Sequence, residues 1–264
     1  MSLKLYDTHA HLNDDAFAED AAAAFERAFA AGVERINIVG CDEKTSAEAV
    51  AFSRQYENVY AVVGVHPSDS EPYDDALEEK LRHWAATEKV VAIGEIGLDY
   101  HYEDDVPPEH QQKIFRRQLR LSLELGLPIV IHSRDAMEDT VRILREEQPP
   151  DGFRGVFHCF SGSWEQAKIC LDLGFYLGFD GPVTFKNAKK AVRVVTEMPL
   201  ERLLIETDCP YMAPEPLRGR RNEPAYVAHI AAKIAELRGL TAEEVAKITY
   251  ENGCTLFGLS TETP

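Results

Sequence analysis

The sequence lacks the features that define several large classes of protein. No stretch approaches the roughly 20 consecutive apolar residues of a membrane-spanning helix, and the first residues contain no apolar leader segment. The five cysteines are an odd number without a C-x-x-C pair, which argues against a disulfide framework and a cysteine zinc cluster. A G-x-S-x-G elbow, a P-loop and a dinucleotide fingerprint are also missing. We therefore expect a cytoplasmic protein with no membrane association and no evident obligate protein partner.

Basic residues are scarce as well. The 28 lysines and arginines face 45 acidic residues, which leaves a formal net charge of -17. Such a surface repels polyanions at long range, so any contact with nucleic acid must be local. Residues 181–196 and 216–222 contain basic residues and no acids. Each of these segments is either part of an anion-binding rim or an ordinary exposed helix face or turn, and the sequence alone leaves both interpretations open.

The 264 residues are enough for one large α/β domain. Eight short apolar or β-branched runs are predicted as strands, at residues 3–8, 35–39, 59–65, 90–96, 128–131, 155–157, 175–179 and 203–206. Amphipathic helical segments separate many of them, at residues 16–31, 74–87, 109–125, 135–147 and 164–173, and two more close the chain at 225–238 and 242–257. This alternation predicts parallel strands with helical crossovers.

Two α/β architectures fit this alternation. A (β/α)8 TIM barrel formed as a single domain by residues 1–264 is our first prediction, and a doubly wound open sheet is the alternative. Hydrophobic periodicity does not separate them because both bury their parallel strands. The polar residues favour the barrel, since nearly every strand ends in a chemically active side chain and barrel strand ends converge on one mouth.

Several of these strand-end side chains are potential metal ligands. They are His9, His11, Glu95, His132, His158 and Asp208. A single strand-end histidine is more often an ordinary hydrogen-bonded residue, and a buried carboxylate such as Glu95 needs a cation nearby. Six ligands exceed the three that one catalytic zinc commonly uses, so they suit two metals that share a carboxylate. Two ions about 3.5–4 Å apart can clamp the attacking and leaving oxygens of a hydrolytic displacement.

A thiol nucleophile is the remaining catalytic hypothesis from the residues. Cys209 follows Asp208 directly, at the end of the eighth predicted strand. A cysteine in this position is more often a small buried hydrophobic residue than a nucleophile. We therefore favour metal-assisted hydrolysis.

The motifs at these strand ends resemble those of the TatD family of metal-dependent deoxyribonucleases, a branch of the amidohydrolase-type metallo-hydrolases. The similarity runs from Asp7 to about Phe257. It is carried by residues 7–11 (DTHAH), 64–67 (GVHP), 94–100 (GEIGLDY), 132–134 (HSR), 158–162 (HCFSG), 206–211 (ETDCPY) and 218–224 (RGRRNEP). The resemblance implies a (β/α)8 barrel, two metal ions and hydrolysis of DNA in the 3′ to 5′ direction.

The resemblance also implies a role for each site residue. The first metal would be held by His9, His11, Glu95 and Asp208, and the second by Glu95, His132 and His158. Glu95 would then bridge the metals, and Asp208 would act as general base toward the attacking water. His66 would contact substrate rather than metal. Four imidazoles favour zinc, manganese, iron or nickel, whereas the family is usually described as supported by magnesium.

A local basic rim would reconcile DNA binding with the acidic surface. We predict such a rim from Arg134 after the fifth strand and from Arg218 and Arg221 after the eighth, because arginine can hold phosphate oxygens with two parallel hydrogen bonds. The resemblance implies single strands and frayed 3′ ends of DNA as the substrate. Two other functions stay open, a two-metal hydrolase of a small ester, lactone or amide, and a metal-binding protein without catalytic activity.

Overall fold

The computed structural model describes residues 3–101 and 106–262. Within them, eight strands form one sheet in chain order. The strands are β1 (Leu5–Ala10), β2 (Val33–Val39), β3 (Val59–Val63), β4 (Val90–Asp99), β5 (Ile129–Arg134), β6 (Gly155–Phe157), β7 (Tyr176–Phe179) and β8 (Leu203–Ile205). Each strand pairs in parallel with the next. The Thr8 hydroxyl donates to the Ile205 carbonyl at 3.1 Å, which joins β1 to β8. The sheet is therefore a nearly closed (β/α)8 barrel, as predicted.

Helices cover the outside of this barrel. In the described residues they are α1 (Ala21–Ala30), α2 (Glu43–Gln55), α3 (Asp75–Ala85), α4 (Pro108–Leu125), α5 (Met137–Glu147), α6 (Trp164–Asp172), α7 (Lys189–Glu197), α8 (Val227–Arg238) and α9 (Ala242–Phe257). Reciprocal side-chain caps at Asp42 and Thr45 begin α2, and Gly126, with a left-handed φ of +66°, ends α4. None of the described helices has both the length and the apolar character that crossing a bilayer requires.

The structure differs from the sequence-based elements at several places. The helix predicted at residues 16–31 is divided into a short 3-10 turn and α1, because the Asp14 side chain caps the turn at Ala16. Helix α2 was not predicted, since its buried face includes Ser46 and Ser53 and its apolar periodicity is weak. Strand β4 extends to Asp99. The predicted domain also includes residues 1–2, 102–105 and 263–264, which lie outside the described part.

The barrel interior has an apolar layer below the mouth. Tyr6, Val130, Val156 and Leu204 belong to one buried cluster with side chains of α9. The Tyr6 ring lies 6.0 Å from that of Phe257 in α9, so this helix closes the amino end of the barrel. Side chains two positions apart on a strand share a face. His132, His158 and Glu206 each lie two positions after Val130, Val156 and Leu204, so they point to the same inward face at the carboxyl end.

Candidate metal centre and active-site cavity

Glu95 lies at the centre of the candidate site, in a stretch of β4 where the strand register shifts between Ile93 and Ile96. Its Oε1 atom is 2.8 Å from His132 Nδ1 and 2.6 Å from His158 Nε2. Those two nitrogens are 3.2 Å apart. One carboxylate oxygen and two imidazoles thus converge on one point.

The other oxygen of Glu95 belongs to a second group. Glu95 Oε2 is 3.3 Å from His9 Nε2, which is 3.0 Å from His11 Nε2. Asp208 Oδ1 completes this group, at 3.4 Å from His11 Nε2 and 3.7 Å from His9 Nε2. The structure therefore brings all six predicted ligands together and divides them into two sets that share Glu95.

Hydrogen bonds on the far side of two rings determine which nitrogen faces the site. His11 Nδ1 is 3.1 Å from the Val39 carbonyl, so this nitrogen carries the proton and donates it. His132 Nε2 is 3.0 Å from Asp99 Oδ2 and donates to it in the same way. Such outer contacts fix the tautomer and orientation of metal-binding histidines. The inward nitrogens of His11 and His132 are then lone-pair donors.

This donor set fits divalent cations. In the first group, the lone pair of His11 points toward another imidazole nitrogen and toward Glu95 and Asp208, and such an arrangement is repulsive unless a cation occupies the centre. Ligand atoms placed tetrahedrally about 2.0–2.1 Å from a zinc ion lie roughly 3.3–3.4 Å from one another. The distances of 3.0–3.8 Å in this group bracket that value. The residues therefore have the chemistry and spacing of a candidate metal-binding site.

Both site carboxylates are ionised. Burial alone would raise the pKa of Glu95, but electrostatic interaction with His158 and close contacts with the other histidines outweigh it and lower that pKa well below its usual range. Burial is likewise outweighed at Asp208, where the contact with His11 and electrostatic interaction with the neighbouring histidines lower the pKa. Asp208 is thus available as a proton acceptor.

Backbone strain is concentrated around the same site. Cys159, Asp208 and Met212 adopt positive φ angles of 44°, 54° and 55°, which are uncommon for residues other than glycine. All three line the cavity above the metal centre. Strain of this kind persists where the surrounding structure holds a side chain in a required direction. Strained backbone conformations are therefore concentrated at functional sites.

Three buried acids beneath the ligands were not predicted as site residues. Asp99 orients His132, Glu206 accepts a hydrogen bond from the Cys159 backbone at 2.5 Å, and Asp7 accepts one from the Thr207 hydroxyl at 2.6 Å. Burial raises the pKa of Asp7 to about 7, although the hydrogen bonds from Thr207 oppose this. A signal for these residues was present, since each is an acid within or directly after an apolar strand.

His66, the predicted substrate contact, lies at the edge of the metal centre. Its Nδ1 accepts a hydrogen bond from the Ser68 backbone at 3.2 Å, so the proton is on Nε2, which is 3.7 Å from Glu95 Oε1. Burial lowers the pKa of His66 to about 3, and the neighbouring His132 contributes to this. His66 is therefore a neutral imidazole with an N–H group directed into the site.

A cavity of about 1320 Å³ opens above the metal centre. His66 and Arg134 line it, and so do the exposed side chains of Tyr211 and Met212. The guanidinium of Arg218 lies 4.3 Å from the ring centre of Phe185, another cavity residue. His66 and Arg134 thus line the same cavity as the candidate metal ligands, and Arg218 packs on a side chain of its wall.

Arg221 has a different environment from Arg218. Its guanidinium donates to Asp20 at 2.6 and 2.7 Å and lies 4.2 Å from the ring centre of Phe17. The hydrogen bonds from Arg221 lower the pKa of Asp20 to about 2. The contact of Arg221 with phosphate stays a prediction, and it requires the pair with Asp20 to open.

Cys209 does not have the environment of a nucleophile. Its side chain is completely buried, and burial raises the pKa of the thiol far above its usual value. A reactive cysteine instead needs solvent access and a lowered pKa. The environment of Cys209 therefore does not support a thiol nucleophile, and the barrel with its candidate metal ligands has the architecture of a metal-dependent hydrolase.

Comparison with known proteins agrees with this class. The sequence pattern of the family described as TatD related DNase matches residues 6–258. A metal-dependent hydrolase of Bacillus subtilis, YabD, is 51% identical over 259 residues, which is 97% of this chain and 100% of that protein. The 3'-5' ssDNA/RNA exonuclease TatD of Escherichia fergusonii is 39% identical over 263 residues, with 97% and 100% covered.

A comparison with solved structures also finds a TatD homologue. The crystal structure of YJJV, a TatD homologue of Escherichia coli K12, superposes with a TM-score of 0.91 at 35% identity and covers 98% of this chain and 100% of its own. The chain belongs to the TatD family of metal-dependent hydrolases.

Proposed function

We propose that this hydrolase cleaves phosphodiester bonds of DNA from single-stranded or frayed 3′ ends. The observation that carries the proposal is the division of the two Glu95 oxygens between two sets of ligands. Two adjacent cations suit displacement at phosphorus, where an attacking and a leaving oxygen both need stabilisation. The name of the Escherichia fergusonii relative, a 3'-5' ssDNA/RNA exonuclease, supports the substrate class and the direction.

The cofactors in this proposal are two divalent ions, either zinc, manganese, nickel or magnesium. His9, His11, Glu95 and Asp208 would hold the first, and Glu95, His132 and His158 the second. Bound there, the ions would lower the pKa of water and polarise a phosphoryl oxygen. Asp99 keeps His132 in the tautomer that such binding requires.

Two side chains have separate roles in the proposed reaction, one as a general base and one as a hydrogen-bond donor. Asp208, ionised and adjacent to His9 and His11, accepts a proton from the attacking water. His66 keeps its proton and donates a hydrogen bond from Nε2–H to a phosphoryl oxygen, because its other nitrogen already accepts one from the Ser68 backbone. Glu95 contributes by holding the two ligand sets at a fixed separation.

The proposed DNA strand lies along the wall formed after β5, β7 and β8. Arg134 and Arg218 would bind phosphates, with Arg221 as a further candidate once it leaves Asp20. Tyr211 is 54% exposed beside the cavity and offers a face on which a base can stack. Basic side chains interleaved with aromatic ones are typical of single-strand binding. The five free thiols support a reducing cytoplasm as the location.

Hydrolysis of a small ester, lactone or amide is the second candidate. The apolar cavity wall that includes Phe179, Val183 and Met212 favours it, as does the net charge of -17. A carbonyl carbon is attacked by the same chemistry, and the fold does not decide between the substrates.

One experiment separates the two candidates. The metal-loaded protein is incubated with a 5′-labelled single-stranded oligonucleotide and, in parallel, with a panel of esters, lactones and amides. The proposal expects a ladder of products that shortens from the 3′ end, and loss of that ladder with Asp208→Asn. Turnover of an ester with intact DNA would replace the proposal by the second candidate.

A further inference from the structure

The mouth of the cavity is divided by charge. Among the described residues, the rim acids that line it with side chains open to solvent are Asp14, Asp42 and Asp69, and they follow β1, β2 and β3 in turn. Asp180, which follows β7, lines the cavity as a buried side chain. The lysines and arginines that line it are Arg134, the last residue of β5, and Lys189 and Lys190, which follow β7. Because the strands are arranged around the barrel in chain order, one half of the mouth is acidic and the other half is basic.

The acidic half is a connected surface. The His66 backbone N–H donates to the Cys41 carbonyl at 2.8 Å, which joins the loop that contains Asp42 to the loop that contains Asp69. The Asp69 side chain is 52% exposed and lies 3.9 Å from His66 Nδ1. The Asp69 carboxylate therefore lies beside the side chain that we propose contacts the reacting phosphate, and Asp42 belongs to the loop that is bonded to the backbone of that residue.

The basic half also offers faces on which bases can stack. Arg218 packs on Phe185, and the exposed Tyr211 and Met212 lie on the loop after β8. A single DNA strand needs both phosphate contacts and base contacts, and among the described residues that line the mouth this half is the one that combines them. The single-stranded DNA is therefore expected to approach the metal centre from the basic half of the mouth.

We propose that Asp42 and Asp69 restrict the site to strand ends by excluding a phosphate beyond the reacting one. This inference rests on the proposed function. A terminal nucleotide with a free 3′-hydroxyl places no charge next to these carboxylates, whereas an internal nucleotide or a 3′-phosphorylated end places a phosphate there. Repulsion between like charges at an interface suppresses the wrong partner more than it helps the right one.

The test compares three single-stranded DNAs of one sequence, which are a linear strand with a 3′-hydroxyl, a linear strand with a 3′-phosphate and a closed circle. The wild-type protein is expected to prefer the hydroxyl end over the phosphate end in kcat/KM by about tenfold or more and to leave the circle intact. In the double variant Asp42→Asn/Asp69→Asn that preference falls by about tenfold and circles are opened. Asparagine at position 42 still caps α2.

A matched control removes the same charge elsewhere. Glu57 and Glu88 are exposed residues before β3 and β4, at the opposite end of the barrel. Glu57→Gln/Glu88→Gln is expected to keep both the hydroxyl preference and the resistance of circles. A control that behaves like the double variant would assign the effect to net charge and overturn the inference.

The remaining outcomes are also decisive. Equal rates on hydroxyl and phosphate ends, or an unchanged preference in the double variant, would overturn the inference and leave the proposed nuclease standing. Failure of the wild-type protein to cut any linear DNA would overturn both. If circular dichroism shows that the double variant is misfolded, Asp69→Asn alone takes its place, since that half-exposed side chain caps no helix, and its hydroxyl preference must fall.

Discussion

The two ends of the barrel differ in the partners that surround their buried charged groups. At the amino end, the buried guanidinium of Arg35 lies 5.1 Å from the ring centre of Tyr250 and donates to the Glu262 carbonyl at 3.1 Å. At the carboxyl end, Glu95 and Asp208 face imidazoles whose tautomers present lone pairs. The terminal nitrogens of the Arg35 cation find partners within the chain, whereas the geometry around the carboxylates fits cations taken up from solution.

This difference separates stability from chemistry along one set of strands. Aromatic side chains of β1 and α9 fill the amino end, and such packing contributes to stability without offering a reactive group. The carboxyl end holds the ligands, the positive φ angles and the cavity. Changes at the two ends should therefore have opposite consequences for activity and for folding.

Removal of the metals should have the largest effect. Chelation is expected to abolish hydrolysis completely and to lower the thermal midpoint, because bound ions at about 100 times their Kd stabilise a fold by about 2.7 kcal/mol. Elemental analysis of protein purified without chelator should find up to two divalent ions per chain. Re-addition of metal should restore both properties. Protein that contains no metal and is indifferent to EDTA would contradict this comparison of the two ends.

Asp208→Asn should have the next largest effect. The amide cannot accept the proton from water, so hydrolysis should fall by at least ~10²- to 10⁴-fold, the range of general-base catalysis. The unfolding midpoint of the metal-free protein should not fall, since the substitution removes one buried negative charge. Turnover close to wild type with metal present would show that another group is the base.

Phe257→Ala at the amino end should show the reverse pattern. The ring is almost fully buried and lies 6.0 Å from that of Tyr6, so its loss should lower the free energy of unfolding by about 3–5 kcal/mol. Urea unfolding measures this. The kcat per folded molecule should remain unchanged, because the metal centre lies at the other end. A large loss of kcat in fully folded protein would mean that the two ends are coupled.

The sequence predicted the barrel and the convergence of the metal ligands because both follow from local patterns. Strand-forming runs can be recognised individually, and a histidine or acid at a strand end points to the same mouth as its neighbours. His9 and His11 illustrate this, since their Nε2 atoms lie 3.0 Å apart. Helix α2 escaped prediction because small polar residues interrupt its buried face.

Contacts between distant segments were not predictable in the same way. Asp99 on β4 accepts a hydrogen bond from His132 on the neighbouring strand β5. Asp20 forms an ion pair with Arg221, about 200 residues away in the sequence. The sequence around Asp99 or Asp20 does not indicate which distant residue it will contact. Arg218 and Arg221 are equivalent in the motif, and only the structure separates a guanidinium beside the cavity from one that is paired with a carboxylate.

The smallest expected effect distinguishes these two arginines. Each phosphate that a protein neutralises on a single strand contributes about -0.7 to the slope of log K against log salt, so Arg218→Ala should make the slope shallower by roughly 0.7. Arg221→Ala should change it by less than that, because this guanidinium is committed to Asp20. It should also cost about 0–1 kcal/mol of stability, as exposed ion pairs do. Hydrolysis of a small uncharged ester is the control and should be unaffected by either variant. Equal changes in slope would show that Arg221 leaves Asp20 to bind phosphate, and no change in either would move the phosphate contacts to Arg134 and the lysines after β7.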